Sequence, residues 1–217
     1  MAKDTTGAGP CFAIEDLLAA RIGCRRVAGV DEAGRGPLAG PVVAACVLLD
    51  RGAVPEGLDD SKRLKPARRA ELFAAIVASA EVGVGIASVA EIDRLNILRA
   101  NDLAMHRAVA ALSRGVSGLV IDGNRVPPGT AHPAEAVVGG DGLALGVAAA
   151  SIVAKVTRDR IMTRLDRAFP AYGWRTNFGY ATASHRAALR QHGRSPHHRR
   201  SFRCEIGSMC EESHRTG

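Results

Sequence analysis

Four acidic residues stand immediately past apolar runs, and that placement constrains the fold of this chain more than any other feature. "RRVAGVDE" ends in Asp31 and Glu32, "LVID" ends in Asp122, and "AVVGGD" ends in Asp141. Short apolar runs bounded by turn residues read as strands, so the acids mark strand ends, where side chains from separate strands of one sheet can converge. Such a cluster cannot ionise fully by itself, because like charges a few Å apart raise one another's pKa. A bound divalent cation removes that penalty. Carboxylate oxygens suit hard ions such as Mg²⁺ or Mn²⁺, and a pair of these about 3.5 to 4 Å apart can activate water and stabilise the leaving oxygen in phosphodiester cleavage. An Asp after a strand is also an ordinary turn residue, so Asp122 in "DGN" specifies by itself only a turn. Asp31 and Glu32 demand more: neighbours in an extended segment point to opposite faces, and both reach one ion only where the strand end bends. Glycines 29, 34 and 36 can supply that bend. "GRGPLAG" lacks the G-x-G-x-x-G spacing of a dinucleotide-binding turn, and the acids precede it, which sets a Rossmann reading aside.

The remaining segments supply the sheet and its cover. "PVVAACVLLD" is a second apolar strand, opening on a proline where strands can begin. In "EVGVGIAS", Val82, Val84 and Ile86 alternate with Gly83, Gly85 and Ala87, so a third strand has one bulky face and one nearly bare. Short connections among these three predict an antiparallel meander. "KPARRAELFAAIVASA" has a proline near its start and helical spacing, and Leu98, Met105, Val109 and Leu112 recur at helical intervals. "SGLVIDGN" and "AEAVVGGDG" follow helical crossovers, where parallel pairing is the rule, so the sheet is expected to be mixed. Helix is predicted from Leu143 to about Phe169, and again over "ATASHRAALRQHG", closed by Gly193. The class is α/β, with helices gathered toward the C-terminus. A chain of 217 residues can bury one good core. The expected organisation is a poorly ordered tail over residues 1–12, a single domain over 13–206 and a flexible tail over 207–217.

The net charge of +7 is localised. Between Lys155 and Arg203 stand 12 Lys or Arg against Asp159 and Asp166, a local balance of +10, which leaves the remainder at 17 minus 20, or −3. A concentrated basic region favours a polyanionic partner, and nucleic acid is the commonest. Five cysteines with no C-x-x-C pair signal neither a disulfide framework nor a zinc knuckle. No apolar run approaches the roughly 20 residues that span a bilayer. "MAKDTTGAGP" lacks the features of a signal peptide, which predicts a cytoplasmic protein without a membrane partner.

The motifs "GVDEAGRGPLAGPVVAA", "DDSKRLKPARR", "NILRANDLAMHRAV", "LVIDGNR", "GGDGLALGVAAASIVAKVTRDR", "FGYATASH" and "HHRRSF" occur in an order and spacing that resemble the bacterial ribonuclease HII family, from about Arg26 to Phe202. The resemblance implies a ribonuclease H-like fold, a mixed five-stranded sheet flanked by helices with a helical C-terminal extension. It implies that Asp31, Glu32, Asp122 and Asp141 are metal-binding catalytic carboxylates served by Mn²⁺ or Mg²⁺. It implies hydrolysis of the RNA strand of RNA·DNA hybrids, and nicking of duplex DNA on the 5′ side of an embedded ribonucleotide, with 3′-hydroxyl and 5′-phosphate products. A monomer is expected.

Such an enzyme must tell one ribonucleotide from deoxyribonucleotides, and the handle is the 2′-hydroxyl. Gly34 and Gly36 let backbone approach a sugar closely, and in the family this Gly34-Arg35-Gly36 segment reads the 2′-hydroxyl with help from a tyrosine matching Tyr180. The chain uses Arg for 25 of its 29 cations, yet Lys62 and Lys155 both fall inside motifs. Lysine is a compact point charge suited to phosphate, so Ser61 and Lys62 are assigned to backbone phosphate contact. Ser151 and Lys155, one helical turn apart, either do the same or steady the carboxylates. Two departures matter: Gly139 and Phe178 replace lysines usual in the family. His197 and His198 are read as C-terminal packing or phosphate contact, and "SMCEESHRTG" lacks an aromatic anchor for a clamp partner. Two rival readings remain at this stage, a non-catalytic binder of RNA or hybrids and a resolvase-like nuclease on the same fold.

Overall fold

Alternation along the strands decides which layer each residue joins. The computed structural model describes residues 9–203. Strands β1 (Val27–Ala33), β2 (Val42–Leu48), β3 (Glu81–Ala87), β4 (Gly118–Asp122) and β5 (Ala134–Val137) form one sheet in the order β3-β2-β1-β4-β5. The β1/β2 and β2/β3 pairs are antiparallel, while β1/β4 and β4/β5 are parallel, so the sheet is mixed as expected. Along β2, Val42, Ala44 and Cys46 pack with Ala100, Ala104 and Ala108 of helix α4 (Ile97–Ala110). The intervening Ala45 and Val47 pack on the other face against helix α5 (Leu145–Ala168) and against Leu72 and Ile76 of helix α2 (Pro66–Ser79). A buried strand of small and β-branched residues between two helical layers is what period-2 geometry requires.

The antiparallel pairing of β1, β2 and β3 is found, but not the short connections of a meander. The chain leaves β2, forms α2 over one face of the sheet and only then returns as β3. The bare face of β3 receives α4: a Cβ on Gly83 would lie 2.1 Å from the Ala108 carbonyl oxygen, and one on Gly85 2.0 Å from that of Ala104. Helix α5 makes a similar close approach to β1, where Gly29 and Gly146 meet backbone to backbone. Gly29 therefore serves packing, not a bend.

Two short helices carried no clear periodic signal. Helix α3 (Val89–Leu95) is only two turns long and is set by a capping box between Ser88 and Glu91. Helix α1 (Ala13–Ile22) has apolar residues around its whole circumference, so Leu17 is exposed while Glu15 is buried. Glu15 accepts the Gly146 N–H at 2.8 Å and so caps α5, which has no side-chain cap of its own.

Of the expected N-terminal tail, residues 1–8 lie outside the described residues. Cys11 is bonded to the start of α5, its N–H donating to the Leu143 carbonyl at 3.0 Å. The expected tail over 207–217 also lies outside the described residues. After the single-turn helix α6 (Trp174–Asn177), helix α7 (Ala183–His192) ends at Gly193, and the segment after it packs back through Arg199 and Phe202. No helix among the described residues is long and apolar enough to cross a membrane.

Candidate active site

Two parallel strands bring the first carboxylates together. The β1/β4 register pairs Val30 with Ile121, so the next step along both strands sets Asp31 beside Asp122 at their carboxyl ends. Asp141 arrives on a single 3-10 turn, Gly140–Gly142, just past β5, and the Gly140 N–H in that turn donates to Asp122 Oδ1 at 2.8 Å. Glu32 follows Asp31, whose Oδ1 accepts the Glu32 N–H at 2.6 Å. The β1/β2 ladder continues through Ala33, so the expected bend falls after the acids, at Gly34 with φ +99°, and not between them.

Burial and mutual repulsion dominate the electrostatics. Asp31, only 4% exposed, is pushed well above the ordinary carboxylate range, first by burial and then by the charges of Glu32 and Asp122. Burial raises Glu32 as well, although Arg35 Nη1 donates to its Oε1 at 3.1 Å and opposes the shift. Burial and the Asp141 charge raise Asp122. Lys62 Nζ lies 3.2 Å from Asp141 Oδ2; burial lowers its pKa, but Asp141, Asp60 and Asp31 outweigh that and raise it.

Among the described residues no three His, Cys, Asp or Glu side chains are drawn onto a single point. Arg35 engages Glu32 and Lys62 engages Asp141, so two of the four carboxylates lean on cations of the chain itself. The donor chemistry fits a divalent cation nonetheless: four carboxylates gather at one end of the sheet, three of them pushed upward by burial and acidic neighbours, and a hard positive charge relieves that repulsion.

Asp31, Glu32 and Asp122 line a cleft together with Gly34, Arg35, Gly36, Ser61, Lys62, Arg69, Lys155, Arg158 and Tyr180, and Asp141 borders it through Lys62. The two glycines differ. A Cβ on Gly34 would sit 2.0 Å from Arg158 Nε, whereas one on Gly36 would meet only Tyr180 Cε1, at 3.8 Å. Ser151, expected either at backbone phosphate or steadying the carboxylates, stands behind the cleft: it is 2% exposed, its Oγ donating to the Ala148 carbonyl at 3.0 Å and accepting the Ser61 N–H at 3.2 Å. Ser61 is buried too and shapes the loop that presents Lys62. Lys155 donates to Asp159 at 2.8 Å and lies 4.8 Å over the Phe178 ring, so the aromatic replacement packs on the lysine that remains. Gly139 adopts left-handed backbone, φ +70°, which suits glycine over any side chain.

The C-terminal histidines form a buried chain that supports Tyr180. His198 Nδ1 accepts the Ser195 N–H at 2.9 Å, which leaves its proton on Nε2 facing His185 Nε2 at 3.0 Å. His185 Nε2 also accepts the Trp174 indole N–H at 3.2 Å, so its own proton sits on Nδ1 and reaches the Tyr180 carbonyl at 2.8 Å. His198 is thereby a packing residue, one of the two roles expected for it. Sequence reasoning missed Arg69, Arg158 and Arg199, which grip cleft loops by their backbone; all three lay within noted motifs, but nothing local marks an arginine as buried.

A family model described as Ribonuclease HII matches residues 28–205. The chain is similar to the Ribonuclease HII of Ruegeria pomeroyi, 58% identical over 194 residues that cover 89% of this chain and 82% of the relative. It resembles a chain of the PCNA:RNase HII complex from Archaeoglobus fulgidus at 28% identity and TM-score 0.71, covering 82% of this chain and 96% of that one. It also resembles Bst-RNase HIII in complex with Mn²⁺ at TM-score 0.62, covering 88% of this chain and 69% of that one; at 19% identity this likeness shows the fold alone. The matched span takes in all four strand-end carboxylates, the cleft beside them and the segment through Arg199 that packs behind it, and on these grounds the chain belongs to the ribonuclease HII family, as a ribonuclease H endonuclease.

Proposed function

We propose that Asp31, Glu32, Asp122 and Asp141 are the catalytic and metal-holding groups of this enzyme. Its substrates are the RNA strand of RNA·DNA hybrids and DNA duplexes bearing an embedded ribonucleotide, cut 5′ of the ribonucleotide to leave 3′-hydroxyl and 5′-phosphate ends. The observation that carries the reading is the gathering of four carboxylates at one end of the sheet, where burial and acidic neighbours push Asp31, Glu32 and Asp122 upward. The oxygen donors of the four carboxylates support a divalent cation, Mg²⁺ or Mn²⁺, in this cleft. Bound there, a pair of such ions would activate water and stabilise the leaving oxygen.

The chain's own residues then divide the work. Asp31 and Asp122, on adjacent parallel strands, and Asp141, on its turn, would hold the ions. Glu32 would join them as Arg35 turns from it toward nucleic acid. Lys62 and Lys155 border the cleft and favour a phosphate backbone. Gly36 leaves open space opposite Tyr180, which fits the close approach of a sugar. The rival readings diverge from this one in a single assay. A DNA duplex with one ribonucleotide is offered with Mg²⁺ and with Mn²⁺, beside an all-DNA control. We expect one nick, 5′ of the ribonucleotide, and an intact control. No nick there with either ion would overturn the assignment.

A further inference from the structure

Two arginines are buried without carboxylate partners. Arg158 on α5 and Arg199 near the C-terminal end of the described chain are each 1% exposed, and all their donors go to backbone carbonyls. Arg158 donates from Nε to Pro41 and from Nη2 to Ala39, each at 3.0 Å, and from Nη1 to Phe178 at 3.0 Å. Arg199 donates from Nε to Gly40 at 2.9 Å, from Nη1 to Arg35 at 2.8 Å, and from Nη2 to Gly34 and, at 3.3 Å, to Pro41. Burying two like charges side by side is costly, and a loop could be fastened by neutral groups instead. A planar guanidinium differs from those groups in fixing several peptide planes at once.

Those planes determine where the opposite edges point. In a trans peptide the C=O of one residue and the N–H of the next are antiparallel. With the Gly34 and Arg35 carbonyls turned inward to Arg199, the N–H groups of Arg35 and Gly36 turn outward, to the cleft that both residues line. Neither N–H has an acceptor among the described residues.

We propose that Arg158 and Arg199 are positioning residues for sugar selection, which hold the Gly34–Pro41 segment from behind so that the Arg35 and Gly36 N–H groups face the 2′-hydroxyl of the ribonucleotide. The proposal rests on the reading of this cleft as the ribonucleotide site. Discrimination then depends on two side chains, each 1% exposed, that act through the backbone carbonyls of the loop and not by direct contact with the sugar. A lysine in either place keeps the charge and loses the fork.

The test measures binding in EDTA, so that nothing is cut, to a duplex with one ribonucleotide and to the same duplex in all-DNA form. R158K and R199K should bind the all-DNA duplex as the unsubstituted protein does, while their preference for the ribonucleotide falls roughly tenfold, the worth of about one hydrogen bond. A merely structural role lowers the folded fraction and weakens both affinities together, leaving their ratio unchanged. An unchanged ratio in both variants overturns the proposal. Where a lysine variant fails to fold, the glutamine variant at the same position, which retains a planar donor group, decides. If the unsubstituted protein shows no preference, the functional reading fails first, and the two failures are distinct.

Discussion

Single residues in this cleft differ in what they would break. Asp31 is held above the ordinary range by burial and by its acidic neighbours. Its folded pKa exceeds its unfolded one, so ionised Asp31 opposes folding increasingly as pH rises through that interval in the absence of a cation. Asp31→Asn keeps the shape and removes the repulsion. Cleavage of a ribonucleotide-bearing duplex should fall by roughly 10³-fold or more, while thermal unfolding in EDTA near neutral pH moves upward. A variant that still cuts at the normal rate would remove Asp31 from catalysis. The glycines two and four residues on from Glu32 should separate loop shape from recognition. At Gly34 an alanine meets Arg158 at 2.0 Å in a backbone of φ +99°, so G34A should distort the loop and lower the melting temperature. At Gly36 only Tyr180 lies near, so G36A should melt like the parent and lose affinity for the ribonucleotide duplex relative to all-DNA. Melting curves beside paired binding titrations distinguish the two.

Among the elements, those with a local period were legible in the sequence and those set by neighbours were not. Alternation in β3 marked a bare face before any helix was known to lie on it, and α4 occupies that face. Gly85→Val should therefore overpack the β3/α4 contact and cost about 1 to 3 kcal/mol, read as a lowered urea midpoint with unchanged slope. Little or no change would mean α4 can shift away from the sheet. By contrast, α1 shows no apolar stripe, because its key inward residue is an acid that caps a helix 131 positions away. The connection between β2 and β3 has another origin: the helical spacing of "KPARRAELFAAIVASA" stands between the two strands in the sequence, so antiparallel pairing did not require the short connections expected of a meander.

Across the whole molecule, the segment after α7 ties the basic C-terminal part to the cleft. His198 is held down at about 4, first by burial and then by the neighbouring His185. Because that folded value lies below the unfolded 6.5, the unfolded chain takes up the proton first. This contribution to stability is complete above about pH 6.5 and is lost as pH falls toward 4. A shift of this size corresponds to roughly 3 kcal/mol. Melting temperature should decline across that interval, and the decline should be shallower in His198→Asn, which cannot gain the charge. Equal slopes in the two proteins would place the acid sensitivity elsewhere.

Strand alternation, helical spacing and local composition are written within a few residues of one another, so the layered α/β class, the placement of the four acids past apolar runs and the seat of the basic charge are legible in the chain itself. That Gly34 shapes the loop while Gly36 faces open space, that Ser151 stands behind the cleft, and that Arg199 turns the peptide planes of a loop 164 positions earlier became visible with the fold alone. Those facts depend on hydrogen bonds to backbone carbonyls. Every residue has such a carbonyl, so a side chain that binds one leaves no mark on the identity of its partner.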